Sequence, residues 1–204
     1  MAGRSGASKQ KMNMPTFNQL IRRSGAIVKR CVLGFVLALG LGYGLPGTHS
    51  IAQAGGITEY QVKAAFIYNF VAFTQWPDTT GPTIHLCVYG EDYFGSEIDK
   101  LQSKPVDKRN IKIMRINNPE KLADCQVVFF SKSAGNSLSS LLSNLPAQPI
   151  LTLADSPNAI AQGVIINMNL VNEKIVFEIN LEIARKSGLD ISSKLLQLAV
   201  KVYQ

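Results

Sequence analysis

The 204-residue chain carries 21 Lys and Arg against 14 Asp and Glu, a formal net charge of +7, which taken whole would point to nucleic acid or an anionic membrane surface. The excess is confined to the front: residues 1–54 hold seven basic residues and no acidic one, and the remaining 150 hold 14 of each. With that front set aside there is no basic patch, and nothing favours a nucleic-acid partner.

The front itself has the three parts of an export signal: basic residues from Arg4 to Arg30, the apolar run Cys31–Leu45, and the small-residue triplet Ala52-Gln53-Ala54. The glycine-rich apolar run falls short of the roughly 20 residues that cross hydrocarbon comfortably. Cleavage after Ala54 is therefore expected, leaving one exported domain over residues 55–204, with a retained membrane tether as the alternative. Arg22-Arg23 is followed by Ser24-Gly25-Ala26, which does not continue a twin-arginine pattern, so ordinary secretion is the expectation.

A helix opens near Glu59, where Thr58 and Gln61 have the spacing of a capping box. It runs into AAFIYNFVAFTQWP, Ala64 to Pro77, which holds five aromatic residues including the only tryptophan. Pro77 disfavours helical backbone at Trp76, so the helix should end near Thr74 or Gln75. Some sixteen residues make about 24 Å of helix, too short for a bilayer and interrupted by Gln61, Lys63 and Asn69. Val62, Phe66, Phe70 and Phe73 form one apolar stripe, expected to cover a sheet. Tyr60, Ala64, Ile67 and Val71 form a second, left open between core and interface, with Trp76 as the anchor of an interface.

Strand and helix patterns then alternate. Thr83–Gly90 reads as a strand, Phe94–Lys104 as a short helix, Asn110–Ile116 and Cys125–Phe130 as strands, Asn136–Leu145 as a leucine-striped helix, and Pro149–Asp155 as a strand. GVIINMNL and KIVFEIN flank VNEK as a hairpin. Two closing helices follow, Leu181–Ser187 and Ser192–Tyr203, separated by Gly188. The fold class is α/β: a mainly parallel central sheet with helices on both faces, a C-terminal β-hairpin and two closing helices.

No catalytic, cofactor or metal signature accompanies this pattern. GEDYFG, Gly90 to Gly95, is neither a dinucleotide fingerprint nor a P-loop, and no G-x-S-x-G occurs. Residues 55–204 keep one histidine, His85, read as a satisfied strand residue, and two cysteines, Cys87 and Cys125. If their strands are neighbours, a disulfide between them stabilises by about 3–5 kcal/mol through loop closure; two separately buried thiols are the alternative. In FEIN, Glu178 and Asn180 face away from Phe177 and Ile179. Glu178 is the candidate acidic neighbour for Lys194, a cation set unfavourably near the start of its helix.

The succession EYQVKAAFIYNFVAFTQWP, IHLCVYG, CQVVFFSKS, ILTLADSP…QGVIINM and IVFEINLEIARKSGLDISSKLLQLA resembles the YfiR family of small exported proteins, over about Glu59 to Val202. The resemblance implies a periplasmic α/β regulator, often dimeric, that binds the periplasmic domain of an inner-membrane diguanylate cyclase of the YfiN type and holds it inactive. Release raises cyclic di-GMP and favours biofilm. The family's redox-linked cysteine pair falls on Cys87 and Cys125. Two features depart from the family: no cysteine lies in the region matching about 159–167, and Gln162-Gly163 stands where many relatives have two glycines.

Two roles remain, neither enzymatic. One is a regulatory protein docking on a membrane receptor, expected as a homodimer in the family's manner; the other is a small-ligand sensor. For the sensor, the loops Gly90–Phe94 and Ser131–Asn136 at the strands' carboxyl ends would form a pocket lined by Trp76, Tyr93 and Phe94. A flat apolar patch would favour the first role, a pocket with convergent polar groups the second.

Overall fold

The computed structural model describes residues 58–204, and the expected signal segment lies outside them. Helix α1 spans Glu59–Ala72, with Thr58 and Gln61 closing the expected capping box. It stops two or three residues earlier than anticipated. The Thr74 hydroxyl donates to Phe70 O at 2.7 Å, and Thr74-Gln75 forms a short strand, β1, antiparallel to β9 at Asp190-Ile191.

An eight-stranded sheet follows. Its strands are β2 (Thr83–Tyr89), β3 (Pro105–Val106), β4 (Arg109–Ile116), β5 (Val127–Phe130), β6 (Leu151–Ala154), β7 (Ile166–Val171), β8 (Lys174–Asn180) and β10 (Lys201–Tyr203). They lie in the order β10-β8-β7-β6-β5-β2-β4-β3. Five of the seven pairings are parallel, the exceptions being β3–β4 and the β7–β8 hairpin. Asn172 and Glu173 both take positive φ in the hairpin turn, the backbone that a two-residue connection needs to match strand twist.

Helices cover both faces. On one face, α1, α2 (Ser96–Asp99), α4 (Leu181–Lys186) and α5 (Ser193–Leu196) close a core containing Ile67, Phe70, Leu86, Phe129 and Ile179. On the other, α3 (Leu138–Ser143) and the 3-10 helix Pro119–Asp124 close a smaller core with Cys87, Phe130 and Leu138. Burying such a side chain contributes about 1.5–3 kcal/mol.

One question the sequence left open is settled, and one expectation is corrected. The stripe Tyr60, Ala64, Ile67 and Val71 is the inner one: its last three members are buried, whereas Val62, Phe66 and Phe73 of the other stripe are half-buried. The helix buries one broad face, with Phe70 at its margin packing against Phe177 of β8 at 4.9 Å between ring centres. The second closing helix is a single turn, Ser193–Leu196, and the residues after it form β10, parallel to β8. Val200, Val202 and Tyr203 are β-branched or aromatic, and an open strand edge outweighs the weak helical pattern of the preceding leucines.

Candidate functional site

The parallel strands run β4-β2-β5-β6-β7. The chain leaves β2 for β4 on one side and returns to β5 on the other. Such a reversal opens a crevice outside the carboxyl ends of β2 and β5, where ligands of open α/β sheets bind. The loops there are held tightly. Gly90 has φ of +93°, and a Cβ on it would lie 2.6 Å from Ser133 Oγ and 2.7 Å from Ser131 Oγ. Ser131 and Ser133 hydroxyls are 2.8 Å apart, and Glu91 N donates to Ser133 Oγ at 2.8 Å.

Beside this crevice lies a charge cluster built from three segments distant in sequence. Lys63 is 1% exposed and donates to Asp155 Oδ2 at 2.5 Å, the Asp155 side chain being fully buried just past β6. Lys63 also donates to Glu59 one turn back. The Tyr60 hydroxyl donates to the same Asp155 oxygen at 2.8 Å, and its ring lies 4.4 Å beneath the Lys63 ammonium. Lys132 reaches Glu59 at 3.4 Å from the other loop. Tyr93 stacks on Tyr60 at 5.6 Å and Phe94 meets it edge-on at 5.0 Å. Asp155 Oδ1 has no hydrogen-bond partner among the described residues.

The electrostatics follow from this packing. Burial first, then the hydrogen bond to Asp155, holds the Tyr60 phenol well above the usual tyrosine value. The hydrogen bond from Lys63 holds the Glu59 carboxyl below the usual carboxylate range. Two fully buried opposite charges cost desolvation that their attraction offsets only with good geometry, and the Tyr60 hydroxyl and ring help supply it.

Tyr93 and Phe94 thus belong to the carboxyl-edge cluster, as the loop positions implied. Trp76 does not join them. Tyr60 lies in the first turn of α1 and Trp76 just beyond its end, and the 14 residues of the helix span about 21 Å, so Trp76 does not share with Tyr93 and Phe94 the pocket expected of them. Trp76 instead donates its ring N–H to Val71 O at 3.0 Å and borders a separate open groove of about 380 Å³ with Pro77, Arg185, Gly188 and Asp190.

Glu178 and Asn180 lie on the face opposite Phe177 and Ile179, as the alternation required. Glu178 does not pair with Lys194, however: it accepts from the Tyr203 hydroxyl at 3.2 Å, and Lys194 is exposed. The strand β10 takes the place beside Glu178 where a longer helix had been expected. Asn180 caps α4, accepting from Ile183 N at 3.0 Å, a structural use that accounts for its polarity.

Cys87 and Cys125 form a disulfide with Cα atoms 6.0 Å apart. It ties β2 to the approach to β5, the two strands that flank the crevice. His85 makes its expected strand contact, Nδ1 lying 2.9 Å from Asp124 O. No helix among the described residues is long and apolar enough to cross a membrane. The residues that sequence reasoning missed are Lys63, read as a polar interruption, and Asp155, read as a strand end. Their partnership spans 92 positions and leaves no local mark, although a lysine placed between Tyr60 and Ile67 on an apolar helix was a signal that it needed an acidic partner.

A family model described as YfiR/HmsC-like matches residues 60–200. Among solved structures, a conserved domain protein from Vibrio cholerae O1 biovar El Tor strain N16961 is similar with a TM-score of 0.51 and 9% identity, over 71% of this chain and 60% of that one. The ABC domain in complex with L-Trp from Streptococcus pneumoniae gives a TM-score of 0.48 and 8% identity, over 70% of this chain and 60% of that one. The chain therefore spans about three-fifths of the length of these two structures. The first likeness speaks to the fold alone.

Proposed function

The chain belongs to the YfiR/HmsC-like family, and from that premise we propose that it is an exported, non-catalytic regulator that binds the periplasmic domain of an inner-membrane diguanylate cyclase. Binding holds the cyclase inactive; release raises cyclic di-GMP and favours biofilm. The observation that carries this reading is the family match over residues 60–200, which takes in nearly all of the described domain. The Cys87–Cys125 disulfide agrees with an oxidising compartment. Residues 1–54 supply the export signal in this reading, and the disulfide keeps the crevice strands together in the binding-competent state.

Trp76, half-buried, and Arg185, exposed, are the docking residues we assign, because tryptophan and arginine are enriched among the residues that dominate interface energies and both border one groove. Tyr93, exposed at the carboxyl edge, is the second point of contact. The test is capture from solubilised inner membranes with tagged protein recovered from the periplasm. Recovery of a membrane diguanylate cyclase, lost in Trp76→Ala, supports the reading. Recovery of no cyclase and no other receptor contradicts it.

A small-ligand sensor acting on a different receptor is the second reading. It is favoured by the Trp76 groove, whose volume of about 380 Å³ lies within the range of small-molecule sites. A ligand that binds one state better than another would tune docking, so the two readings are compatible.

A further inference from the structure

At the opposite, amino edge of the sheet the ladder between β6 and β7 stops early. Only Leu153↔Ile166 and Ala154↔Asn167 pair. One residue before, Ile165 N–H donates not to a backbone carbonyl but to the Thr152 hydroxyl at 2.9 Å. The side chain satisfies the donor while letting the strands part. Over the gap, α3 brings Leu142 and the following Leu145 from one core, and α4 brings Ile183 from the other. The result is a cleft of about 220 Å³, floored by Ile150 and Thr152 and rimmed by Gln148 and Ser187.

No charged side chain lines it among the described residues. A formal charge placed there would be desolvated without a counter-ion, at a cost apolar contact does not recover. The polar atoms present are neutral and available. Gln148 donates its amide to Ala123 O at 2.8 Å, which leaves its side-chain carbonyl, like the Ser187 hydroxyl, without a hydrogen-bond partner among the described residues. The volume is below that of drug-sized sites, which start at roughly 300 Å³, and suits a single ring.

We propose that this cleft is a binding site for a compact, uncharged ligand with an apolar ring and one hydrogen-bonding group. The ring lies between Leu142, Leu145 and Ile183, and its hydroxyl or amide meets Gln148 and Ser187. The site is independent of the cyclase reading, although it touches the same regulatory surface: α4 contributes Ile183 to the cleft and Arg185 to the Trp76 groove.

The experiment is an amide NMR titration of the protein recovered from the periplasm, with benzyl alcohol as probe and benzoate as its charged counterpart. Saturable shifts confined to residues 142–152, 163–165 and 183–187 are expected with benzyl alcohol, with an affinity on the order of 1 mM, and none with benzoate. Ser187→Phe, which fills the cleft from a C-cap position whose backbone alone is used, weakens binding at least about tenfold; Ile183→Phe carries the same expectation if that variant fails to fold. Shifts that do not saturate, that fall elsewhere, that benzoate reproduces, or that survive both filling variants overturn the site.

Discussion

Replacing Lys63 by Met removes the ammonium from a pair in which Lys63 is 1% exposed and the Asp155 side chain is fully buried. The carboxylate is left with the Tyr60 hydroxyl as its remaining donor and with Oδ1 unpartnered among the described residues. Breaking a buried pair in this way costs about 3–5 kcal/mol, and at about 2–4 °C per kcal/mol for a domain of this size the melting point falls by about 10 °C. Replacing both members, Lys63→Met with Asp155→Leu, removes the stranded charge as well, so the double variant should lie within about 1 kcal/mol of the wild type. The cycle therefore yields a coupling of about 3 kcal/mol or more. Urea unfolding followed by the fluorescence of Trp76, the single tryptophan, measures it, with the m-value confirming that each variant unfolds as the same unit. A loss below about 1 kcal/mol for Lys63→Met, or single losses that simply add in the double variant, would refute the reasoning.

Other consequences follow from the same contacts. The Glu59 carboxyl is depressed by Lys63, so its contribution is present above the ordinary glutamate value near 4.3 and is lost as pH falls through the folded value; Glu59→Gln should flatten the acid limb of stability against pH. Tyr60 is shifted upward, so its contribution is complete below the ordinary tyrosine value near 10 and declines as pH rises beyond it. Unfolding measured from pH 8 to 11 should lose that slope in Tyr60→Phe. Replacing Cys87 and Cys125 by Ala opens a loop with a sequence separation of 38 and costs about 4 kcal/mol by loop-closure entropy; a urea midpoint unchanged from wild type would contradict this. Gly90→Ala combines positive φ with contacts of 2.6 and 2.7 Å to Ser133 and Ser131, and a loss of about 1–3 kcal/mol is expected in the same assay.

Much of the fold was legible because its signals are local. Thr58 and Gln61 announce α1, VNEK announces the hairpin, and short apolar runs between loops announce the parallel strands. What escaped was set by distant partners. Ser192 and the leucines after it predict a full helix, yet β8 offered an edge that Lys201–Tyr203 completes. The stripes of α1 could be told apart only by knowing that Asp155 draws Lys63, and with it Ala64 and Ile67, toward the sheet. The site was legible in part for the same reason. Loop positions after β2 and β5 follow from topology and placed Tyr93 and Phe94 at the carboxyl edge, whereas Trp76 shares aromatic character with them but not a location. Glu178 found a tyrosine of the last strand instead of Lys194, a contact invisible until β10 was recognised.

We propose that the chain acts by restraining a membrane cyclase. The most direct test is the intracellular cyclic di-GMP level in cells that lack the chain, compared with cells that express it or its Trp76→Ala variant. A rise on deletion, reversed by the wild-type chain and not by Trp76→Ala, is the predicted result; an unchanged level in all three would contradict it.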